Sequence, residues 1–437
     1  MTGSTRVEEL LLYRRFKDAK IFDDMVWVIE NLDYDGKEKY GMDTLRASYY
    51  DCISALVEMA GSYGFEGNLW HTYLTYLLVN HENVFSTACE IVGAVEGSIN
   101  DIAKHDFEIF RGLYAFDLNE IEEKTGVYAM RYLMRYRNTE RCSKTFNRRI
   151  RDRICSLTVA LEQSRDVDEF MEHMVEFYRD FGVGKLGLHK AFRIEHTEEG
   201  VEILPIKNIA HVRLDDLVGY EIAKKKLLAN TEAFVSGRKA NNCLLFGDAG
   251  TGKSSSIKGI LNQYYERGLR IIEIYKHQFQ DLNDVIAQIK NRNYKFIIYM
   301  DDLSFEDFEI EYKYLKAVIE GGLEKKPDNV LIYATSNRRH LVREKFSDKE
   351  ERRDDLHSSD TVQEKLSLVN RFGVQIFFCA PDKKEFQNIV RILAEKNGIR
   401  MPEEELLEEA NKWELSHGGL SGRTAQQFID YLLGQVC

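Results

Sequence analysis

Phe246-Gly247-Asp248-Ala249-Gly250-Thr251-Gly252-Lys253-Ser254-Ser255 follows a short apolar run, Cys243-Leu244-Leu245, and leads into Ser256-Ile257-Lys258-Gly259-Ile260-Leu261. The stretch fits G-x-x-x-x-G-K-[ST], a phosphate-binding loop set between a buried strand and a helix. Its glycines let the backbone bend so that N–H groups converge on phosphate oxygens. The helix start that follows adds further donors and the positive end of the helix dipole. Gly247, Asp248, Ala249, Gly250, Thr251, Gly252, Lys253, Ser254 and Ser255 are therefore expected to cradle a nucleoside triphosphate. Lys253 would reach the β- and γ-phosphates, and Ser254 would ligate Mg²⁺. A glycine-rich turn can match the pattern by chance, but rarely with a strand and a helix on the correct sides.

Downstream, apolar β-rich runs alternate with helical ones. Strands are expected at 270–274, 295–300, 330–335 and 374–378, with helices at 282–289 and 312–320 between them. Such alternation implies a parallel sheet covered by helices on both faces. From Asp382 the pattern is helical to the end, which suggests a small helical lid over 382–437. Upstream, the runs at 191–196 and 201–205 alternate apolar and polar residues around Thr197-Glu198-Glu199-Gly200, as a hairpin does. The chain has four prolines, and none precedes Pro205. Apolar residues recur there at helical spacing, including 7–13 and 55–59. The run Trp70 to Val79 is apolar enough for a buried core helix. The expected organisation is a helical region at 1–185, a hairpin linker at 186–205, an α/β nucleotide-binding domain at 206–381 and the lid.

The strand at 295–300 ends in Asp301-Asp302. One carboxylate at a strand tip can hold the Mg²⁺ shell, and the next can polarise a water for attack on the γ-phosphate. Asp301 is assigned to the metal and Asp302 to the water, with Glu306 and Asp307 close enough to share the role. The strand at 330–335 ends in Ser336-Asn337-Arg338-Arg339, and Asn337 is the candidate to orient that water. Arg371, just before the last strand, is placed to act on the γ-phosphate of a neighbouring subunit as an arginine finger. Arg423 opens the last helix and could close onto the phosphates, with Ser421 as the helix cap.

Composition narrows the partners. Across 437 residues, 44% hydrophobic and 30% charged residues describe a globular protein with room for two to three domains. A net charge of −12 excludes a globally basic nucleic-acid coat. The seven cysteines are scattered, without a C-x-x-C pair, which argues against a zinc site or disulfide framework and for a reducing cytoplasm. No apolar run has the length of a membrane span. The one basic concentration runs from Arg131 to Arg153, interleaved with Tyr132, Leu133, Tyr136, Phe146 and Ile150. Its two readings are an amphipathic helix with a solvated, ion-paired face, which is favoured, and a nucleic-acid contact.

Together these residues resemble an AAA+ ATPase over about 206–437. The resemblance makes Gly247 to Ser254 the Walker A loop, Phe296 to Asp302 Walker B, Asn337 sensor 1, Arg371 the arginine finger and Arg423 sensor 2. Longer strings resemble an uncharacterised bacterial family of AAA+ ATP-binding proteins. They include Asp216-Leu217-Val218-Gly219-Tyr220-Glu221, Asp301-Asp302-Leu303-Ser304-Phe305-Glu306 and Ser421-Gly422-Arg423-Thr424-Ala425. The resemblance implies Mg²⁺-dependent ATP hydrolysis in a homo-oligomer and supplies no substrate. Two positions depart from it. Asp302 stands where the larger superfamily usually has Glu, so the carboxylate must reach further to a water. Asn370 stands before Arg371 where an acid is expected. The link after strand 270–274 carries Tyr275, Lys276, His277 and Phe279, which could grip a chain or, as favoured here, pack locally.

Three functional readings stay open at this point. One is an oligomeric ATPase remodelling an unidentified protein or nucleoprotein partner selected by the helical region. Another is a nucleotide-controlled switch with little turnover, and the last a nucleic-acid-associated ATPase using the basic segment.

Overall fold

The computed structural model describes residues 5–17, 19–32, 41–94, 96–138, 147–198, 200–206, 209–305, 309, 311–320, 327–338, 341 and 368–435. The chain divides into two compact units, Met1–Leu188 and His189–Cys437.

The first unit is helical. Its helix Leu69–Asn80 is buried on nearly every face, with Trp70, Leu74, Leu78 and Val79 fully inaccessible, as the continuous apolar run predicts. Asn68 caps it by accepting from the Trp70 and His71 amides. The segment at 7–13 differs from the expected helix. Only Val7–Glu9 forms a 3₁₀ turn. The following amides of Leu11, Leu12 and Tyr13 donate to the buried carboxylate of Asp106 at 2.7–3.2 Å. A buried acceptor from a distant helix, Ser98–Ala115, thus takes donors that a helix would have used internally.

The basic segment is not one helix either. Met130–Tyr132 is a 3₁₀ turn, Tyr136 bridges to Gly67, and a helix runs over Arg148–Glu162. Residues 139–146 lie outside the described set. Arg131 is 3.6 Å from Glu122, Arg151 is 3.5 Å from Glu66, and the Arg153 guanidinium lies 4.1 Å over the Phe181 ring. Leu133, Ile150 and Ile154 point into the core. These partners fit the ion-paired reading of the segment.

The second unit is built on one seven-stranded sheet. The strands are β1 (Ala191–Thr197), β2 (Gly200–Pro205), β3 (Cys243–Gly247), β4 (Leu269–Glu273), β5 (Lys295–Met300), β6 (Val330–Ser336) and β7 (Val374–Phe378). Their spatial order is β2-β1-β4-β5-β6-β3-β7. All pairings are parallel except β1 with β2. β6 is buried along its whole length, as expected for a central strand covered on both faces. The hairpin expected as a linker is the edge of this sheet. Ala191, Phe192 and Arg193 pair in parallel with Ile271, Ile272 and Glu273 of β4, and the Gln278 amide holds the Ile194 carbonyl. Pairing satisfies backbone groups that a free ribbon would leave to solvent.

Helices Lys383–Lys396, Glu403–Ser416 and Gly422–Gln435 follow β7 and share a separate small core around Phe386, Val390, Ala425 and Ile429. Asp382 and Glu385 form a reciprocal capping box at the first of them. Among the described residues no helix is long and apolar enough to cross a membrane.

Candidate nucleotide site

Parallel pairing fixes where the polar residues end up. Phe246 pairs with Ser336, Met300 with Ala334, and Gly247 with Phe378. The loop after β3, the acids after β5 and Asn337 after β6 therefore emerge along one edge of three adjacent strands. They line a cavity of about 640 Å³ together with Asp216, Leu217, Val218, Tyr220, Thr335, Ile389, Leu393 and Arg423.

The loop needs its glycines. Gly247, Gly250 and Gly252 have φ of 133°, 74° and 90°. A Cβ on Gly247 would stand 2.0 Å from the Phe378 carbonyl oxygen, the atom that also accepts the Asp248 amide. Gly247→Ala is expected to destabilise the second unit by about 3 kcal/mol or more, because both the left-handed backbone and the β7 backbone resist the methyl group. Chemical denaturation of the full chain checks this. Gly434→Ala is the control, since a Cβ there meets open space inside a helix and should leave the midpoint unchanged or raise it.

Lys253 is 6% exposed, and its ammonium donates to the carbonyls of Gly247 and Asp248 at 2.9 and 2.6 Å and to Asn337 Oδ1 at 2.9 Å. Burial lowers its pKa, opposed by the charges of Asp248, Asp302 and Asp301. Thr251 closes the loop by donating to the Asp248 carbonyl at 2.8 Å. The Asp248 carboxylate accepts the Ala380 amide at 2.7 Å. Ala249 and Ser255 line the cavity wall.

Ser254 Oγ donates to Asp301 Oδ1 at 2.8 Å. The same oxygen accepts from Thr335 and Tyr299, each at 2.6 Å. Burial works against ionising Asp301, but these three hydroxyls and the Asp302 amide together hold its carboxyl below the ordinary value. A hydroxyl and an ionised carboxylate converging at the phosphate end are hard oxygen donors, the set Mg²⁺ takes when phosphates and water complete its shell. Among the described residues no group of three or more His, Cys, Asp or Glu could hold a metal by itself.

Asp302 has φ of 49°, a left-handed conformation at a residue other than glycine. Its amide donates to Thr335 Oγ1 at 3.0 Å and its carboxylate accepts the Asn337 side-chain amide at 2.7 Å. Asn337 thus joins Lys253 to Asp302. Glu306 and Asp307 fall outside the described residues. Arg423 lies at the cavity, and its backbone amide donates to the Gly250 carbonyl at 3.1 Å, pinning the last helix to the loop. Ser421 caps that helix through the Thr424 amide.

Gly247 and Asp248 stand behind the cavity lining, holding Lys253 through their carbonyls, and Arg371 is an expected site residue that does not line the cavity at all. It is exposed and precedes β7, whose far end, Phe378, is the residue beside Gly247. The length of a strand separates it from its own phosphate loop. In the link after β4, Phe279 is buried and Lys276 pairs with Glu309 at 2.6 Å, the local packing favoured above, while Tyr275 remains 48% exposed. Sequence reasoning missed Tyr299 and Thr335 as donors to Asp301, and it missed the apolar cavity wall of Leu217, Val218, Ile389 and Leu393. The string Asp216-Leu217-Val218-Gly219-Tyr220 was the signal for part of that wall.

The strand order, the loop after β3, the acids after β5 and the helical C-terminal bundle define a P-loop fold of the AAA+ class. Residues 187–436 match a family model described as "Protein of unknown function (DUF815)", and the chain belongs to that family. No curated protein matches it. Among solved structures, a variant of RuvB from Thermotoga maritima is similar at 18% identity and a TM-score of 0.36, over 51% of this chain and 65% of that one. The chain thus spans just under two thirds of that RuvB's length. A second T. maritima RuvB structure, a Holliday junction branch migration motor, is similar at 16% identity and 0.32, over 50% and 72%. The FIGL-1 AAA domain in complex with ADP is similar at 17% and 0.35, over 52% and 76%. The strand order and the site, rather than these similarities, carry the fold.

Proposed function

We propose that this protein is an oligomeric, Mg²⁺-dependent ATPase that remodels a protein or nucleoprotein partner chosen by its helical first unit. The observation that carries the ATPase reading is the convergence of Lys253, Ser254, Asp301, Asp302 and Asn337 on one cavity from three neighbouring strand tips. Loop amides and Lys253 bind and orient the phosphates. Ser254 and Asp301 would hold Mg²⁺, which when bound neutralises charge on the β- and γ-phosphate oxygens. Asp302 accepts a proton from the attacking water, and Asn337 fixes the direction of that carboxylate. Arg423 rides on a helix tied to Gly250, so closure of the helical bundle can bring its charge onto the phosphates. Arg371, remote from its own site, completes the site of a neighbouring copy.

Turnover measured alongside mass in solution, with and without nucleotide, tests this reading. Asp302→Asn is expected to cut phosphate release by about a hundredfold, the usual worth of a positioned base, while ATP binding changes little. A second reading is a nucleotide-controlled switch with little turnover. It draws on the bond from Asn337 to Asp302, which occupies the short carboxylate that would have to reach the water. Tight ATP binding with no release above the Lys253→Ala background would favour the switch.

A further inference from the structure

The contacts of Arg131, Arg151 and Arg153 account for only part of the basic segment. Arg135, Arg137 and Arg148 are exposed, and none of them pairs with an acid among the described residues. Acids outnumber bases by 72 to 60 in this chain, so bases left open together run against its overall balance. Arg148 also opens the helix Arg148–Glu162, whose first turn holds no acid. A cation at that end opposes the helix dipole, so the helix itself does not favour it.

Backbone contacts gather these side chains on the first unit. Met130 and Leu133 are buried, and the Leu133 amide donates to the Met130 carbonyl at 2.8 Å, which leaves Arg131 and Tyr132 facing outward. Tyr136 then pairs with Gly67 through two backbone bonds of 2.9 Å, with Arg135 and Arg137 on either side of it. Glu66, next to Gly67, lies 3.5 Å from Arg151, one helical turn beyond Arg148. The rings of Tyr128 and Tyr132 are 51% and 73% exposed, and the Arg131 guanidinium lies 4.7 Å over the first. Open guanidinium groups thus stand beside two open aromatic rings.

We infer that this face of the helical unit binds single-stranded nucleic acid, with the arginines on phosphates and the tyrosines stacked on bases. The inference rests on the reading of this unit as the part that chooses the partner, and it names the partner's class. A single strand supplies both halves of the match: a row of phosphates, and unpaired bases whose flat faces a duplex keeps stacked inside. An acidic peptide would meet the arginines and give the rings nothing to stack on. The net charge of −12 disfavours a polyanion over the rest of the chain and confines contact to this patch.

Fluorescence anisotropy of the full chain across a salt series tests the inference, with labelled oligothymidylate, oligouridylate, an oligothymidylate–oligoadenylate duplex and polyglutamate as probes. The single strands, of either sugar, should bind more tightly than the duplex or polyglutamate and should weaken as salt rises. Tyr132→Ala should weaken single-strand binding about tenfold, the worth of one stacked base, without lowering the melting temperature. Arg135→Ala combined with Arg137→Ala should lower the slope of log affinity against log salt by about 0.7 per arginine, and the corresponding lysine pair should restore it. Single-strand affinity that neither set of substitutions changes overturns the inference. So does polyglutamate bound as tightly as the single strands, which would make the patch a docking face for an acidic protein. Lys253→Ala should bind the single strands as the wild type does, so loss of the ATPase reading leaves this inference standing. A chain that turns over ATP and binds no single strand at low salt removes this inference alone.

Discussion

Lys253→Ala is expected to abolish ATP turnover and to weaken ATP binding by about a hundredfold. The ammonium is held at the phosphate end by the carbonyls of Gly247 and Asp248, which aim it where β- and γ-phosphate oxygens must lie. Charge-assisted bonds to phosphate contribute about 1.5–3 kcal/mol each, and two of them lost correspond to that loss of affinity. The substitution also removes the donor to Asn337, so Asp302 loses its indirect tie to the loop. Titration with ATP and a phosphate-release assay on the same preparations check both parts. Retained tight binding would show that loop amides alone hold the phosphates.

Arg371→Ala is expected to lower turnover by about a thousandfold while leaving ATP affinity unchanged, the mark of an arginine supplied in trans. The residue lies a strand's length from its own loop, so its loss cannot act directly on the phosphates bound by the same chain. Mixing supplies the decisive readout. A Lys253→Ala chain retains Arg371 but cannot use its own site, so adding it to Arg371→Ala chains should restore part of the activity. A purely intramolecular role for Arg371 predicts no recovery at any mixing ratio.

Much of the second unit is legible locally. The strands at 295–300 and 374–378 coincide with β5 and β7, and the phosphate loop, Asp301, Asp302 and Asn337 emerge where their strands end. Short apolar runs bounded by polar tips carry that information in a few consecutive residues. What escaped depends on contacts between distant segments. Nothing within 191–205 says that β1 will pair with β4. Nothing within 7–13 says that Asp106, far along the chain, will take its amides. The apolar wall is likewise assembled from Leu217 and Val218 before β3 and Ile389 and Leu393 after β7. Tyr299 stands among apolar residues in its strand, yet its hydroxyl reaches Asp301 from two positions away on the same face.

The most direct test of the central claim is steady-state phosphate release from ATP by the purified full chain, at oligomer-forming concentration, with Mg²⁺ and with chelator. Many phosphates released per chain with Mg²⁺, and a rate at the Lys253→Ala background with chelator, is the predicted result. Release that never rises above that background in the presence of Mg²⁺ would contradict it.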